Sequence, residues 1–274
     1  MSGGVLFLDE PFRSLWMGQD PFVAVEALEG EIFRELEARR TLRTEVNGHG
    51  YFVKIHRGVG WPEIVKNFLS LRLPVLGAAN EWRAIQRLSE IGVDSMHAVA
   101  YGLRGRNPGR QHSFIITEEL TPTLSLEDFC LDWKKHPPEL RLKRALITRV
   151  AGMARRMHRA GINHRDFYLC HFLLHLDPAP TADQFRLSLI DLHRAQLRAQ
   201  LPRRWRDKDL AALYFSAVDI GLSRSDLLRF LAAYFACPLR QILRDEARLF
   251  SHLTSETRRL QARFARKVAA GEMT

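Results

Sequence analysis

The first 120 or so residues alternate between short apolar runs and polar turns, a pattern typical of β-strands. Five such runs are "PFVAVEAL", "RTLRTEV", "YFVKIH", "HAVAYGL" and "HSFIITEEL". "NGHG" separates the second from the third and predicts a tight hairpin. "ANEWRAIQRLSEIG" predicts one helix, with Trp82, Ile85, Leu88 and Ile91 on one face and Gly92 at its end. This part of the chain is therefore predicted to be a five-stranded sheet with one main helix.

Helical periodicity dominates the rest of the chain. "PPELRLKRALITRVAGMARRMHRAG" has apolar residues at helical spacing and ends at Gly161. Ser-x-x-Asp patterns at Ser125 and Ser223 are typical of helix N-termini. "FLLHL" and "FRLSLID" flank the turn-rich "DPAPTADQ" and predict a second hairpin. The predicted architecture is α+β, with a β-rich lobe at 1–118, a hinge at 119–122 and a helical lobe at 123–274. Two such lobes commonly enclose a ligand cleft.

The net charge of the chain indicates an anionic partner but does not identify which kind. The formal net charge is +10 and the pI is about 10.0, so a polyanion, an anionic membrane, a phosphorylated substrate or an acidic protein would be attracted. The aromatic residues are not interleaved with the arginines as in a nucleic-acid stacking platform. We therefore expect no nucleic-acid partner.

The cysteines and the N-terminus bear on the compartment. The three cysteines are widely spaced and form no Cys-x-x-Cys pair, which favours a reducing compartment. No signal-peptide pattern opens the chain, and no apolar run approaches the roughly 18 residues needed to span a bilayer. We expect a protein that is cytoplasmic or lies on a cytoplasmic membrane surface.

The stretch "GINHRDFYLCHFLL" concentrates chemically active side chains. A zinc site would need ligands such as His164, Cys170 and His171, but their spacing matches no common zinc pattern. A catalytic loop is the alternative, since Asp166 on this loop and Asp191 at the end of the second hairpin are two carboxylates that could share a site. One would accept the proton of an attacking hydroxyl and the other would hold Mg²⁺.

Phosphoryl transfer also needs a fixed cation for the nucleotide phosphates. Lys54 lies in the middle of the predicted strand "YFVKIH", and Glu81 lies on the helix of the same lobe. An ion pair between them would aim the ammonium group.

These motifs together resemble a known family. "HRD" followed by a hairpin that ends in "IDLH" resembles the catalytic and metal-binding loops of the protein-kinase-like fold. Longer sequence segments, from about Gly30 to Ala217, resemble the lipopolysaccharide core heptose kinases, the WaaP or RfaP family. Six segments carry this resemblance: "GEIFRELEARRTLR", "YFVKIHRGVGW", "LPVLGAANEW", "MHRAGINHRDFYLCHFLL", "IDLHRAQ" and "RRWRDKDLAALYFSA".

The resemblance implies an ATP-dependent kinase that phosphorylates a heptose hydroxyl of the lipopolysaccharide inner core, with ATP and Mg²⁺ as cofactors. It implies Asp166 as general base, Asp191 as magnesium ligand and Asp209 as the buried brace of the catalytic loop. Lys54, partnered by Glu81, would contact the α- and β-phosphates. The remaining nucleotide-binding residues implied are Gly30 and, at the hinge, Glu118, Glu119 and Leu120.

Some positions depart from the protein-kinase pattern. Gly30 is the one glycine left of the phosphate loop, and His171 replaces an asparagine that would bind a second metal ion. Imidazole is a poor magnesium ligand, so either one metal ion suffices or His171 contacts phosphate or an oxygen ligand instead. By its position in the motif, His171 is still a candidate residue of the metal and nucleotide site. His193 replaces the glycine of "DFG", and no "APE" segment follows, which favours a glycan hydroxyl over a peptide. A kinase for another sugar or for protein, and an inactive binding module, are the alternatives.

Two basic segments suggest partner surfaces. "QLRAQLPRRWR" could bind the phosphates and carboxylates of the substrate, since guanidinium groups bind both bidentately. Its candidate residues are Arg194, Arg198, Arg203, Arg204, Trp205 and Arg206. The insert "GWPEIVKNFLSLRLPVLG" could touch an anionic membrane or an acidic, lipid-carrying protein, or could simply pack on the small lobe.

Overall fold

A computed structural model describes residues 4–58, 60 and 77–269. It divides into two compact units. Unit 1 takes the described residues of Met1–Arg87, Ser95–Leu120 and Leu192–Arg194, and unit 2 takes those of Leu88–Asp94, Thr121–Asp191 and Ala195–Thr274. The insert predicted to touch a membrane or a carrier protein lies, apart from its terminal glycines, outside the described residues.

Unit 1 is built on a six-stranded antiparallel sheet with the strand order β1-β5-β6-β4-β3-β2. The predicted Asn-Gly hairpin is confirmed, since Val46 pairs with His49 and both Asn47 and Gly48 have positive φ. The strands are β1 Val5–Leu8, β2 Glu31–Leu36, β3 Arg39–Val46, β4 His49–His56, β5 Ala98–Arg104 and β6 His112–Glu118.

The strand predicted from "PFVAVEAL" is wrong, because Pro21–Glu26 is a helix, α2, which follows the short helix α1 Phe12–Leu15. Asp20 caps α2 by accepting a hydrogen bond from the Phe22 N–H at 2.9 Å, and Pro21 occupies the first helical position. An aspartate followed by proline is a helix start, and it outweighs the β-propensity of the two valines. The sheet instead gains β1 and β2, which the sequence pattern missed.

The two faces of the sheet are covered by different helices. The side chains of Tyr51, Val53 and Ile55 join α1 and α2 in the hydrophobic core. The predicted helix Ala79–Glu90, here α3, is confirmed, and its Trp82 stacks on Tyr101 with 4.9 Å between ring centroids. Because strand side chains alternate, Lys54 points away from the core formed by its neighbours Val53 and Ile55.

Unit 2 is mainly helical. Its long central helix ends just before Gly161 as predicted, and Ser223 forms the predicted capping box with Asp226. The helices are α4 Leu126–Cys130, α5 Leu140–Arg159, α6 Arg203–Ala217, α7 Arg224–Phe235, α8 Leu239–Asp245 and α9 Ala247–Ala269. None of the helices within the described part of the chain is long and apolar enough to cross a bilayer.

Two small sheets hold the loops of unit 2. The predicted second hairpin is confirmed, with β9 Phe172–His175 antiparallel to β10 Leu187–Leu189, and β7 Thr123–Ser125 lies on the other side of β9. β8 Ile162–Asn163 pairs with β11 Gln196–Leu197. The loop with Asp166 therefore begins at a paired strand, β8, and Asp191 follows two residues after β10.

Candidate active site

Unit 1 contains the predicted ion pair between strand and helix. Lys54 Nζ lies 2.6 Å from Glu81 Oε1, and the Glu81 side chain is 1% exposed. Glu81 belongs to the first turn of α3, where a carboxylate is favoured by the helix dipole. A carboxylate at this depth needs its counter-ion, so Lys54 and Glu81 fix each other.

Gly30 has a packing reason to be glycine. A Cβ atom at this position would overlap the carbonyl oxygen of Arg43 on the neighbouring strand β3. The absence of a side chain lets the chain approach β3 closely before β2 begins. Close packing against β3 is therefore enough to explain a glycine at this position. The backbone of Gly30 could still contact a phosphate group.

The predicted hinge residues are partly engaged within unit 1. The amide of Glu118 donates to His97 O at 2.9 Å, and the amide of Glu119 donates to Gly50 O at 2.9 Å. The Glu119 carboxylate accepts a bidentate pair from Arg43, with its Nη2 2.8 Å from Oε2. These two amides are thus already hydrogen-bonded, and any adenine contact through them would have to replace an existing bond.

In unit 2, Asp209 braces the loop that carries Asp166. The Asp209 carboxylate, on α6, is 1% exposed and accepts hydrogen bonds from the backbone N–H groups of His164 at 2.7 Å and Arg165 at 2.9 Å. Arg165 has φ of 76°, a conformation that non-glycine residues rarely adopt. Two charge-assisted hydrogen bonds hold this turn immediately before Asp166.

The histidines around the loop serve as supports. His164 is fully buried and donates from Nε2 to Ile190 O at 2.9 Å. Burial lowers the pKa of His164, which keeps its ring neutral. His158 contacts Asp209 Oδ2 at 3.3 Å through Nε2 and the Tyr234 hydroxyl at 2.7 Å through Nδ1. His164 therefore supports the loop, and His158 and Tyr234 are further supports that the sequence motif did not indicate.

His171 connects the loop to Asp191. Its Nδ1 donates to the backbone oxygen of Asp166 at 2.6 Å, and its Nε2 lies 3.4 Å from Asp191 Oδ2. Asp191 itself has φ of 62°, in the left-handed region. One imidazole thus bridges the backbone of one predicted catalytic carboxylate and the side chain of the other.

The donor set near the loop suits magnesium better than zinc. In the residues that the structure describes, no group of three or more His, Cys, Asp or Glu side chains is arranged to hold a metal ion. Burial raises the pKa of the Cys170 thiol to about 11, so the thiolate that zinc prefers is scarce. Magnesium typically takes one or two carboxylates, with phosphate oxygens and waters completing its shell, and Asp191 fits that requirement.

The predicted arginine patch is divided by its ion pairs. Arg203 and Arg206 both bind Glu246, and the Arg206 side chain is 16% exposed. Arg198 and Arg204 instead lie over the ring of Trp205. Arg206 is therefore a structural residue, and the six-residue patch predicted from the sequence is too broad.

The fold and these residues define a class, the phosphotransferases of the protein-kinase-like fold. The chain belongs to one family within it, the lipopolysaccharide kinase (Kdo/WaaP) family, which matches residues 23–234. The family predicted from the sequence motifs is thereby confirmed. Membership implies ATP use.

Curated relatives and a solved structure resemble nearly the whole chain. The lipopolysaccharide core heptose(I) kinase WaaP of Pseudomonas aeruginosa is 65% identical over 258 residues, covering 94% of this chain and 96% of that protein. The enzyme of the same name from Escherichia coli is 57% identical over 260 residues, covering 95% and 98%. A structure of WaaP in complex with acyl carrier protein is similar with a TM-score of 0.84 and 60% identity, covering 93% of this chain and 99% of that one.

Proposed function

We propose that this protein transfers the γ-phosphoryl group of ATP to a hydroxyl of a heptose in the lipopolysaccharide inner core. The observation that carries the proposal is the Asp209 carboxylate, which holds the backbone of the loop next to Asp166. Phosphoryl transfer depends on positioning and electrostatics rather than covalent chemistry, so a rigidly held loop is what the reaction requires. The names of the curated relatives support heptose as the acceptor.

In the proposed mechanism Asp166 is the general base. Its carboxylate orients the acceptor hydroxyl and accepts its proton as the oxygen attacks phosphorus. The main chain of Asp166 is fixed by the hydrogen bond from His171 Nδ1 at 2.6 Å. His164 and Asp209 hold the residues before it. The base therefore needs little reorganisation as the reaction proceeds.

The nucleotide is held by residues of unit 1 in this proposal. Lys54 contacts the α- and β-phosphates, and Glu81 directs its ammonium group. The backbone at Gly30 approaches the phosphates, and the hinge at 119–122, with Glu118, Glu119 and Leu120, binds the adenine. The amides of Glu118 and Glu119 already donate within unit 1, so adenine contacts through these amides would replace those bonds.

Magnesium is proposed as the accompanying ion, with Asp191 as its protein ligand. A bound Mg²⁺ ion would neutralise charge on the phosphate oxygens. The sequence predicts His171 as a second ligand or a phosphate contact. Because its Nδ1 donates to a carbonyl and its Nε2 faces Asp191, His171 is placed to share a bound ion with Asp191, as hydrogen-bonded histidine ligands do.

Replacing Lys54 with methionine should lower kcat/KM for ATP by about 10²–10³-fold, the range for loss of one preorganised electrostatic contact. The aliphatic stem is kept, but Glu81 loses its counter-ion at 1% exposure, so thermal stability should fall as well. Steady-state kinetics with varied ATP would measure the first effect. The double variant Lys54→Met/Glu81→Gln should regain stability but not activity, whereas equal recovery of both would contradict a role in nucleotide binding.

The acceptor is tested with purified protein, radiolabelled ATP, Mg²⁺ and dephosphorylated core oligosaccharide. Label should appear on heptose and be absent when Mg²⁺ is chelated. Transfer to another sugar or to protein would replace heptose as the acceptor. If no acceptor is labelled and ATP is not hydrolysed, the protein is an inactive binding module.

An acidic, lipid-carrying protein is the partner that we propose, and an acyl carrier protein is the specific candidate. WaaP is in complex with acyl carrier protein in the similar solved structure. Unit 2 contains a cavity of about 280 Å³ lined almost entirely by apolar side chains, among them Trp133, Val150, Ala217 and Phe230. An acyl chain has the chemistry to fill such a cavity, and the net charge of +10 suits an acidic carrier.

A substitution that fills the cavity should weaken binding of the acylated partner without unfolding the protein. Ala217 lines it and is 9% exposed, so Ala217→Phe should occupy space needed by an acyl chain. We expect the variant to lose most of its binding to acylated carrier protein in calorimetry, while its binding to the unacylated carrier equals that of the parent protein. Unchanged binding of the acylated form would place the acyl chain elsewhere.

We also propose a location at the cytoplasmic face of the inner membrane, without insertion. The proposed acceptor is carried on an anionic lipid, and the basic charge of the protein favours such a surface. Sedimentation with anionic vesicles that weakens with added salt, as surface electrostatics requires, would support this location.

A further inference from the structure

Three cationic side chains gather around one aromatic ring in unit 2. The guanidinium carbons of Arg198 and Arg204 lie 5.3 and 5.2 Å from the ring centroid of Trp205, and Lys208 Nζ lies 4.7 Å from it. Each cation gains from the ring, but three like charges around a single ring also repel one another. We call Arg198, Trp205, Arg204 and Lys208 the cation cluster.

The nearby carboxylates are engaged with other arginines. Glu246 binds Arg203 and Arg206, and Asp207 binds Arg206 at 2.7 Å. In the part of the chain that the structure describes, no carboxylate lies within ion-pair distance of Arg198, Arg204 or Lys208. The cation cluster therefore has a local excess of positive charge.

Arg198 is the most constrained cation of the three. It is half-buried, and its guanidinium donates to neutral oxygens, Asn163 Oδ1 and Gln196 Oε1. Burial lowers the pKa of Arg198, the charge of Arg204 lowers it further, and Asp209 acts in the opposite direction. A bound anion would relieve both the burial cost and the repulsion.

The start of α6 adds to the positive field. The helix is 15 residues long, its N-cap residue Pro202 has no side-chain acceptor, and its first turn contains no acidic residue. Free N–H groups and the dipole of a helix favour an anion at this end. Arg204, Trp205 and Lys208 lie within its first two turns, so the field and the three side-chain charges reinforce one another.

The cation cluster is tied to the strand that leads into the catalytic loop. Arg198 N donates to Gly161 O at 2.9 Å, and β11 pairs Gln196 with Asn163. A Cβ atom at Gly161 would overlap the Arg198 carbonyl oxygen, so the two segments are in close contact. Asn163, which accepts from Arg198, is three residues before Asp166.

We propose that Arg198, Arg204 and Lys208 bind an anionic group, a carboxylate or a phosphate, on the sugar acceptor and so position it for phosphorylation. The proposal rests on the function proposed above and adds the residues that select the acceptor. Arg198 and Arg204 match such groups with bidentate hydrogen bonds. Lys208 adds a third charge.

The test compares Arg204→Ala, Lys208→Ala and their double variant with Arg203→Ala as the matched control. Arg203 is an adjacent, 62% exposed arginine on the same helix, but its charge is paired with Glu246. The double variant should raise KM for the acceptor about tenfold to hundredfold, the range for losing charge-assisted hydrogen bonds. KM for ATP should stay unchanged, and Arg203→Ala should resemble the parent protein.

Modified acceptors identify the anion. The parent and double variant are compared on core oligosaccharide that lacks only the phosphate added by this protein, and on carboxyl-reduced and fully dephosphorylated forms of it. If the difference in KM disappears on the carboxyl-reduced acceptor, the group is a carboxylate, and if it disappears on the dephosphorylated acceptor, the group is a phosphate. An acceptor KM that is unaffected by the double substitution, or affected equally on all three acceptors, overturns the proposal.

The experiment distinguishes failure of the proposed kinase function from failure of the cation-cluster proposal. In that case the parent protein itself would not phosphorylate any of the three acceptors. Calorimetric titration of the acceptor without ATP would then test the cation cluster directly. Binding by the parent and by Arg203→Ala, with loss in the double variant, supports the proposal, and equal binding or no binding by all three proteins overturns it.

Discussion

Asp166→Asn should lower kcat by about 10²–10⁴-fold, the contribution typical of a positioned general base. Asparagine has nearly the same size but cannot accept the proton of the acceptor hydroxyl. Hydrogen bonds to its backbone oxygen and to the residues before it hold the loop, and the substitution leaves these bonds in place. The substitution should therefore change the chemistry without moving the loop, and single-turnover phosphorylation of the core acceptor would measure it.

Binding and stability serve as the controls for this variant. The dissociation constant of ATP and the midpoint of thermal unfolding should match those of the parent protein. A variant that retained the kcat of the parent protein would show that another group accepts the proton. A variant that lost ATP binding as well would show that Asp166 supports the nucleotide rather than the acceptor.

Asp209→Ala should reduce both stability and turnover. It leaves the N–H groups of His164 and Arg165 without their acceptor, and each buried unsatisfied donor costs about 1–3 kcal/mol. The free energy of unfolding should thus fall by about 2–6 kcal/mol. The strained turn at Arg165 would also lose its support, so kcat should fall even at temperatures where the variant is folded. Denaturant unfolding and steady-state kinetics would measure the two effects.

Asp207→Ala is a matched control, because Asp207 lies on the same helix and pairs with Arg206 instead of the loop. We expect it to lose less stability and to keep most of its turnover. If Asp209→Ala were destabilised but fully active when folded, Asp209 would be a structural residue with no part in positioning Asp166. Asp209→Asn keeps one acceptor oxygen and should lie between the two.

Local sequence signals predict much of the site because the chemistry restricts each position closely. The ion pair of Lys54 and Glu81, the brace at Asp209 and the support by His164 all lie where the motifs indicate. Each depends on a short stretch of chain attached to a regular strand or helix. The hairpin at Asn47 and the capping box at Ser223 are predictable for the same reason.

Other features depend on pairings that sequence patterns do not reveal. Glu246 neutralises Arg203 and Arg206 from about forty residues away, so the predicted arginine patch is too broad. Lys208 is missed, although its i, i+4 spacing from Arg204 on a helix is a usable signal. β2 is missed because all six of its residues are exposed and its apolar residues, Ile32, Phe33 and Leu36, do not alternate with polar ones, which leaves no buried face to set a pattern.

The separation between the catalytic loop and its brace has a consequence for how the protein is made. Asp209 follows His164 by 45 residues, and ribosomes add about 5–20 residues per second. For about 2–9 seconds of synthesis, the loop has its complete motif but no carboxylate to order it. A nascent chain that stalls or is cut before α6 therefore contains every residue of the motif and no competent loop. The catalytic geometry is acquired only late in translation.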